Sequence, residues 1–152
     1  MKIVITAATK GEWLPTYHSI NTTKKNVLFH ESGVGILSTT VALMKLIATE
    51  KPDLIIQVGI AGTFDTTKPL GKVVVIKNET IGDLGVTEKG QWKDVFDLGL
   101  IKNNRRPFKK KLLPNPWIKQ YNLLKLPTVN EVTVNQISTN KKQIEQLIQK
   151  YN

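Results

Sequence analysis

A carboxylate and a group of small turns are the parts of this sequence that could do chemistry. Glu12 follows the apolar run that opens the chain, and Gly59-Ile60-Ala61-Gly62 closes a later apolar run. A glutamate at the rim of a cleft serves as a general base when its surroundings bring its pKa near the working pH. Glycines let a ligand approach the backbone. Together the two motifs would allow proton abstraction beside a bound small molecule, whereas each alone fits a solvated glutamate or an ordinary turn better.

The apolar segments at the start of the chain predict the elements that position Glu12. Lys2 to Ala8 and Asn26 to His30 are rich in β-branched and aromatic residues and predict two strands. Trp13 to Tyr17 predicts the start of a short amphipathic helix, with Pro15 tolerated in its first turn. Glu12 is therefore expected between a strand and a helix.

A strand, a helix and a further strand follow in order. Apolar residues recur at helical spacing from Ile36, and Pro52 sets the limit of that helix. Leu54 to Val58 predicts a buried strand of a parallel sheet. In such a sheet ligands bind outside the carboxyl ends of the strands, so parallel neighbours would bring three turns to one crevice. These turns are Thr9 to Glu12, Ser32 to Gly35 and Gly59 to Gly62.

Beyond the third strand the sequence predicts two more strands and a closing helix. Lys72 to Thr80 and Pro127 to Ile137 predict the strands. Asn140 to Tyr151 predicts the helix, with Asn140 and Gln143 as a capping box. The segment from Glu88 to Asn122 has prolines and no clear period, which predicts a functional or mobile excursion. The whole is expected to be one α/β domain over residues 1–152, with helices on the faces of one sheet.

The positive net charge of the chain is compatible with an anionic binding partner. The chain has 22 Lys plus Arg against 12 Asp plus Glu, a formal net charge of +10. The densest basic run is Lys102, Arg105, Arg106 and Lys109 to Lys111, which favours a basic binding module as an alternative function. Arginines and interleaved aromatics are scarce in it, so nucleic acid is not the expected partner.

Cysteine usage and the first residues bear on the compartment. The chain has no cysteine, which excludes disulfides, thiolate metal sites and thiol catalysis. The opening apolar run is too short for a signal peptide or a membrane span. We therefore expect a cytoplasmic protein that does not associate with membranes.

Three other chemistries have weaker support in the sequence. Gly33-Val34-Gly35 and Asp53 have the spacing of a dinucleotide fingerprint, but Ser38 replaces the third glycine and Asp53 precedes its strand. His18 and His30 lack metal-ligand spacing. No G-x-S-x-G elbow of a serine hydrolase is present. We expect neither a cofactor nor a metal.

Four segments together carry a family resemblance. "MKIVITAATKGE", "ESGVG", "KPDLIIQVGIAGTF" and "GDLGV", in this order, resemble the purine nucleoside phosphorylase and nucleosidase superfamily. Within it, the chain is most similar to the futalosine hydrolase family, which hydrolyses the N-glycosidic bond of futalosine in menaquinone biosynthesis and releases hypoxanthine. The resemblance implies a three-layer αβα sandwich with a central, mostly parallel or mixed sheet. It also implies a purine nucleoside as the small-molecule substrate and assembly into a homo-oligomer.

The resemblance assigns roles to individual residues. Glu12 falls where the hydrolytic members place the glutamate that activates the attacking water. Gly62 falls where they place a backbone group at the ligand, and Thr9 occupies a position near the ribose. The substrate-binding positions implied in this way are Thr9, Gly59, Ala61, Gly62 and Val134.

The chain also departs from the related methylthioadenosine/S-adenosylhomocysteine nucleosidases, which remain the alternative within the superfamily. Those enzymes usually carry serine where this chain has Ile60, and Gly-Asp where it has Gly71-Lys72. Family members also continue past the equivalent of Tyr151 to a Met-Glu pair that holds the ribose and an aspartate that helps protonate the purine. The resemblance therefore implies that these 152 residues are an amino-terminal part, weak or inactive alone.

Overall fold

The computed structural model describes residues 1–20 and 26–151 and confirms the α/β class. The described chain divides into two compact units, Met1–Gly62 and Thr63–Asn152. Its elements, in chain order, are β1 (Ile3–Ala7), α1 (Lys10–Ile20), β2 (Val27–Glu31), α2 (Ile36–Glu50), β3 (Leu54–Gln57), β4 (Val75–Ile81), β5 (Gly85–Glu88), β6 (Gln91–Asp94), β7 (Leu113–Pro114), α3 (Ile118–Tyr121), β8 (Thr128–Thr133) and α4 (Lys141–Tyr151).

The first unit is built on a parallel sheet with the strand order β2-β1-β3. β1 is central, and the side chains of Val4 and Thr6 are fully buried. The prediction that the first three strands are parallel neighbours is therefore confirmed. The prediction that the third strand is buried is wrong, because β3 lies at the edge of this sheet and Ile56 is 41% exposed.

Helix α1 packs on the sheet through Trp13, the residue after Glu12. Trp13 is buried, and its ring centroid lies 5.2 Å from that of Phe29 on β2. The helix begins at Lys10, three residues before the predicted start, so Pro15 lies inside the helix rather than in its first turn. Aromatic packing of this kind stabilises the helix where proline removes a backbone hydrogen bond.

Helix α2 is confirmed, but it does not bury the apolar face that predicted it. It spans Ile36–Glu50, and its backbone turns left-handed at Lys51, where φ is 45°. Leu46 is buried, whereas Leu37 and Met44 are 77% and 67% exposed. The spacing of apolar residues therefore predicted the helix correctly, but it did not predict which face of the helix packs against the rest of the unit.

The second unit contains a mixed sheet and a separate hairpin. β4 pairs in parallel with β8 and antiparallel with β7, and β5 pairs antiparallel with β6. The predicted strands at Lys72 to Thr80 and Pro127 to Ile137 are confirmed, although both are displaced or shortened to the bounds of β4 and β8. The described strands are hydrogen-bonded in three sheets rather than one.

The excursion predicted from Glu88 to Asn122 contains regular structure that its sequence did not reveal. β5 and β6 are joined by Lys89 and Gly90, whose φ angles are 49° and 78°. Two consecutive residues with positive φ form the tight turn whose twist matches a two-residue hairpin. The sequence does not indicate this turn, because Lys89 stands where such turns usually have Asn or Asp.

Helix α4 is confirmed and is fastened at both ends. The Lys142 N–H donates to Oδ1 of Asn140, 2.8 Å away, so Asn140 caps the helix as predicted. The Tyr151 hydroxyl donates to the Gly82 carbonyl at 3.3 Å and accepts from Trp92 Nε1 at 3.1 Å. In the described part of the chain, no helix is both long and apolar enough to cross a membrane.

Gly85 is the glycine of the hairpin with the least room, and it gives a first testable prediction. A Cβ on Gly85 would lie 2.1 Å from the carbonyl oxygen of Lys93, a backbone atom of the paired strand. Gly85→Ala is therefore expected to lower the free energy of unfolding by about 2–3 kcal/mol, measured by thermal denaturation. Thr87→Ala, on the exposed face of the same strand, is the control and should change it by less than about 0.5 kcal/mol. Equal stability of Gly85→Ala and the parent chain would contradict the crowding.

Candidate active site

Glu12 is held by three hydrogen-bond donors from two turns. Its Oε2 accepts from the Thr9 N–H at 2.9 Å and from the Thr9 hydroxyl at 3.0 Å. Its Oε1 accepts from the Ile60 N–H at 3.2 Å. The half-buried carboxylate therefore links the start of α1 to the turn that follows β3.

The local sequence explains half of this arrangement. Thr9 precedes the first helical residue and Glu12 is the third residue of α1, which is the spacing of a capping box. A glutamate there reaches back to the free N–H of the capping residue, and its charge is favourable at the helix amino terminus. The Thr9-x-x-Glu12 motif therefore fixes Glu12 before any tertiary contact is made.

Gly59 supplies the space for the other half. A Cβ on Gly59 would lie 3.1 Å from Oε1 of Glu12, tighter than ordinary van der Waals contact. A Cβ on Gly62 would meet nothing within 4 Å. Position 59 therefore requires glycine because a larger residue would crowd the Glu12 carboxylate. Position 62 has open space around it.

The same contacts set the charge of Glu12. Burial raises the pKa of the carboxyl, but hydrogen bonds from the Ile60 N–H and from the N–H and hydroxyl of Thr9 together outweigh it and lower the pKa. The pKa of Glu12 therefore moves away from the working pH, so the condition stated for an efficient general base is not met. Glu12 is an ionised carboxylate at neutral pH, which is the protonation state that a general base requires.

The two carboxylate oxygens of Glu12 differ in how many further hydrogen bonds they can accept. A carboxylate oxygen offers about two lone-pair sites. Two donors from Thr9 occupy Oε2, whereas the Ile60 N–H is the one donor that the described residues give to Oε1. Oε1 is therefore the oxygen that can receive a proton from a water molecule.

The turn after β2 reaches the same edge of the sheet. The backbone N–H and the hydroxyl of Ser32 both donate to the carbonyl of Ala7, at 2.8 and 3.0 Å. Ala7 ends β1, and the turn that follows it carries Thr9 and Glu12. The expectation that the turns share the carboxyl edge of the parallel strands is confirmed.

Within the first unit, the structure brings Glu12 together with some of the predicted substrate positions. Glu12, Thr9 and Gly59 lie in contact, and Ala61 and Gly62 continue the same turn, exposed. Val134 lies in the second unit after β8, half-buried, with Cγ1 3.2 Å from where a Cβ on Gly82 would stand. Roles in substrate binding remain predictions for all five substrate positions.

The Ile60 N–H is the functional group that sequence reasoning missed. Its side chain is 90% exposed, which gives no sign that the backbone beneath it serves a carboxylate. The Thr9-x-x-Glu12 spacing could have shown that Glu12 is fixed locally. Nothing in the sequence shows which residue 48 positions away supplies the third donor.

The alternative chemistries find little support in the geometry. Asp53 precedes β3 and accepts a hydrogen bond from the backbone N–H of Lys2 at 2.6 Å, at the end of the sheet away from Gly33 and Gly35. Within residues 1–20 and 26–151, no group of three or more His, Cys, Asp or Glu side chains is placed to hold a metal ion. A depression of about 510 Å³ between β2 and α2 does not include Glu12.

Solved structures that superpose on this chain include several nucleosidases. The S-adenosylhomocysteine nucleosidase of Streptococcus pyogenes superposes with a TM-score of 0.74 at 18% identity, over 99% of this chain and 70% of that one. The 5'-methylthioadenosine/S-adenosylhomocysteine nucleosidase of Neisseria meningitidis gives 0.72 at 14% identity, over 99% and 71%. The MTA/SAH nucleosidase of Streptococcus pneumoniae gives 0.73 at 16% identity, over 98% and 71%.

Comparison of the sequence with protein families and with curated proteins does not assign the chain to a family. No protein-family model matches the chain, and no curated protein matches it. The structural likeness extends over nearly the whole described chain at low identity, so it establishes architecture rather than activity. The chain therefore has the α/β fold of the nucleosidases.

Proposed function

We propose that the chain is a nucleoside hydrolase in which Glu12 activates the attacking water. The observation that carries this proposal is the ionised Glu12 carboxylate, fixed by three donors at the carboxyl edge of the parallel sheet, with Oε1 able to accept a proton. The nucleosidase fold supports it, because the solved relatives include complexes with nucleoside analogues such as methylthio-immucillin-A.

The proposed reaction replaces the N-glycosidic C–N bond by a C–O bond. The water oxygen attacks the anomeric carbon of the ribose while the C–N bond breaks, and the departing base keeps the bonding electron pair and takes a proton from solvent water. The ribosyl group carries positive charge in the transition state, as in glycoside hydrolysis. Ionised Glu12 stabilises this charge and removes a proton from the water at Oε1.

The rate of the 152-residue chain is expected to be low. A positioned base and a positioned acid each contribute about two to four orders of magnitude. In the first unit, over residues 1–20 and 26–62, Glu12 is the carboxylate that joins the turn after β3, and no acid for the leaving base is identified beside it. We therefore expect slow but Glu12-dependent release of the base.

Futalosine is the proposed substrate, with methylthioadenosine or S-adenosylhomocysteine as the alternative. The futalosine proposal rests on "VGIAG" and "GDLGV", and on Ile60 where the other nucleosidases usually carry serine. The alternative is favoured by the solved relatives, whose names are those of methylthioadenosine and S-adenosylhomocysteine nucleosidases. Menaquinone biosynthesis is the pathway that the futalosine proposal implies.

Release of the free base tests both proposals at once. The folded 152-residue chain is incubated at high concentration, separately with futalosine and with methylthioadenosine, and the bases are separated by chromatography. Hypoxanthine from futalosine alone supports the first proposal, and adenine from methylthioadenosine alone supports the alternative. Release from neither substrate, with no binding of either nucleoside by calorimetry, would overturn the hydrolase proposal.

Self-association and a cytoplasmic location are further parts of the proposal. The exposed apolar residues of α2, among them Leu37, Val41 and Met44, support a homo-oligomer because such a stripe gains stability when a second copy covers it. The absence of cysteine fits a reducing compartment. Light scattering of the parent chain and of Met44→Asp measures the proposed assembly.

The hydroxyl of Thr9 gives a prediction about pH dependence. Thr9→Val removes the hydroxyl donor to Oε2 and keeps the side-chain shape. Because that hydrogen bond lowers the pKa of Glu12, its loss is expected to raise this pKa and move the acid limb of the pH–rate profile to higher pH. Carbon-13 NMR of the Glu12 carboxyl should report the same shift. Thr9→Ser retains a hydroxyl and should restore the parent profile, and an unshifted profile in Thr9→Val would contradict the role of the hydroxyl.

A further inference from the structure

The segment from 115 to 127 in the second unit is an excursion whose two ends are fastened to β4. The Asn115 N–H donates to the Lys77 carbonyl at 2.9 Å, and its Nδ2 donates to the Ile76 carbonyl at 3.1 Å. At the other end, the Val75 N–H donates to the Pro127 carbonyl at 2.9 Å. Both ends of the segment are therefore hydrogen-bonded to the same three residues at the start of β4, Val75 to Lys77.

A second clasp closes the tip of this excursion. The Asn122 side chain donates from Nδ2 to the Leu126 carbonyl and accepts at Oδ1 from the Leu126 N–H, both at 2.9 Å. We call residues 122–126 the leucine loop. Within it Leu123 and Leu124 are 80% and 82% exposed. Single exposed leucines are ordinary, whereas here two adjacent ones lie exposed in one closed loop.

Aromatic side chains precede the leucine loop. Trp117 and Tyr121 are 58% and 39% exposed, and their ring centroids lie 6.3 Å apart. Tyr121 immediately precedes the Asn122 clasp. Tryptophan and tyrosine carry an apolar body with a polar tip, which suits a boundary between water and an apolar phase.

The charge of the surrounding chain identifies the kind of partner. Between residues 98 and 130 the chain has no Asp or Glu and eight Lys or Arg. In the described residues of this stretch, Lys111 is the one cation that forms an ion pair with a carboxylate. Like-charged segments repel one another, so a second copy is a poorer partner for this segment than an anionic surface. The eight cations are Lys102, Arg105, Arg106, Lys109, Lys110, Lys111, Lys119 and Lys125.

We propose that the surface formed by Trp117, Lys119, Tyr121 and the leucine loop docks the protein peripherally on an anionic lipid bilayer, a role additional to nucleoside hydrolysis. Leu123 and Leu124 enter the boundary of the acyl chains, Trp117 and Tyr121 lie at the level of the headgroups, and the lysines contact lipid phosphates. A nucleic acid backbone would satisfy the cations but offers no apolar phase to the leucines. The sequence-based prediction of no membrane association differs from this proposal, and the experiment below decides between them.

Vesicle co-sedimentation of the 152-residue chain tests the proposal. Vesicles of phosphatidylcholine with added phosphatidylglycerol are expected to bind the chain, more strongly at low salt, and vesicles of phosphatidylcholine alone to bind it weakly. Leu123→Ser combined with Leu124→Ser should lower the partition coefficient about tenfold or more. Lys119→Gln and Lys125→Gln should each lower it about fivefold. Both pairs of side chains are exposed, so the variants should fold.

A matched leucine outside the segment serves as the control. Leu70 is 98% exposed in the same unit, and Leu70→Ser should leave vesicle binding unchanged. No binding to anionic vesicles, or binding that is indifferent to the two leucines, would overturn the proposal. A fall in molecular mass by light scattering in the double leucine variant, without vesicle binding, would assign the surface to a second copy instead. Lysine-dependent binding of single-stranded DNA without vesicle binding would assign it to nucleic acid.

Discussion

Glu12→Gln is expected to lower the rate of base release by about two to four orders of magnitude while nucleoside binding persists. The amide cannot take the proton that the water must lose. It also places an NH₂ group opposite one of the donors that now point at the carboxylate, namely the Thr9 N–H, the Thr9 hydroxyl or the Ile60 N–H. Chromatography of the free base gives the rate, and calorimetry gives the binding constant.

A second carboxylate at the same edge of the sheet provides the control. Glu31 ends β2, beside Ala7 in the register of the parallel strands, and its side chain is exposed. Glu31→Gln makes the same chemical change near the same turns and should leave the rate unchanged. A Glu12→Gln variant that releases base as fast as Glu31→Gln would remove Glu12 from the mechanism.

Gly59→Ala is expected to lower base release about tenfold, and by up to the hundredfold that a misplacement of about 1 Å can cost. The new methyl group would stand 3.1 Å from Oε1, and the carboxylate is the part free to move. Its shift should lengthen the hydrogen bond from the Ile60 N–H and alter the amide chemical shift of Ile60 in NMR spectra. The fold should persist, because the crowded atoms belong to a side chain rather than to the backbone.

Two further glycines separate crowding of Glu12 from other effects. A Cβ on Gly11 would lie 4.0 Å from its nearest neighbour, the Thr9 hydroxyl, so Gly11→Ala should preserve both the rate and the Ile60 amide signal. Gly62→Ala tests the predicted substrate contact, since it should raise KM without changing kcat if a ligand approaches that backbone. Equal rates in Gly59→Ala and Gly11→Ala would contradict the requirement for glycine at position 59.

Local patterns predicted the elements of the site because each pattern lies within a few residues. The β-branched run before Thr9 predicted β1, and the apolar period after Gly35 predicted α2. The Thr9-x-x-Glu12 spacing carries the capping geometry as well. These features depend on backbone preferences that operate without the rest of the fold.

Features that depend on distant packing could not be predicted in the same way. The contact between Glu12 and the Ile60 N–H requires β3 to pair beside β1, and periodicity contains no information on the order of strands. The exposure of Leu37 and Met44 on α2 is equally non-local, since a stripe of apolar residues predicts burial without naming what covers it. The hairpin turn at Lys89 was missed because lysine rarely adopts a positive φ.

The occupied lone pairs of Glu12 also bear on the reorganisation energy of the reaction. Since Thr9 and Ile60 hold both oxygens by hydrogen bonds from the chain itself, the proposed reaction does not require a nucleoside to orient the carboxylate. In the proposed reaction, the cost of aligning this base falls on folding rather than on each catalytic cycle. Discrimination between nucleosides would then depend on how each one sets its ribose against Oε1.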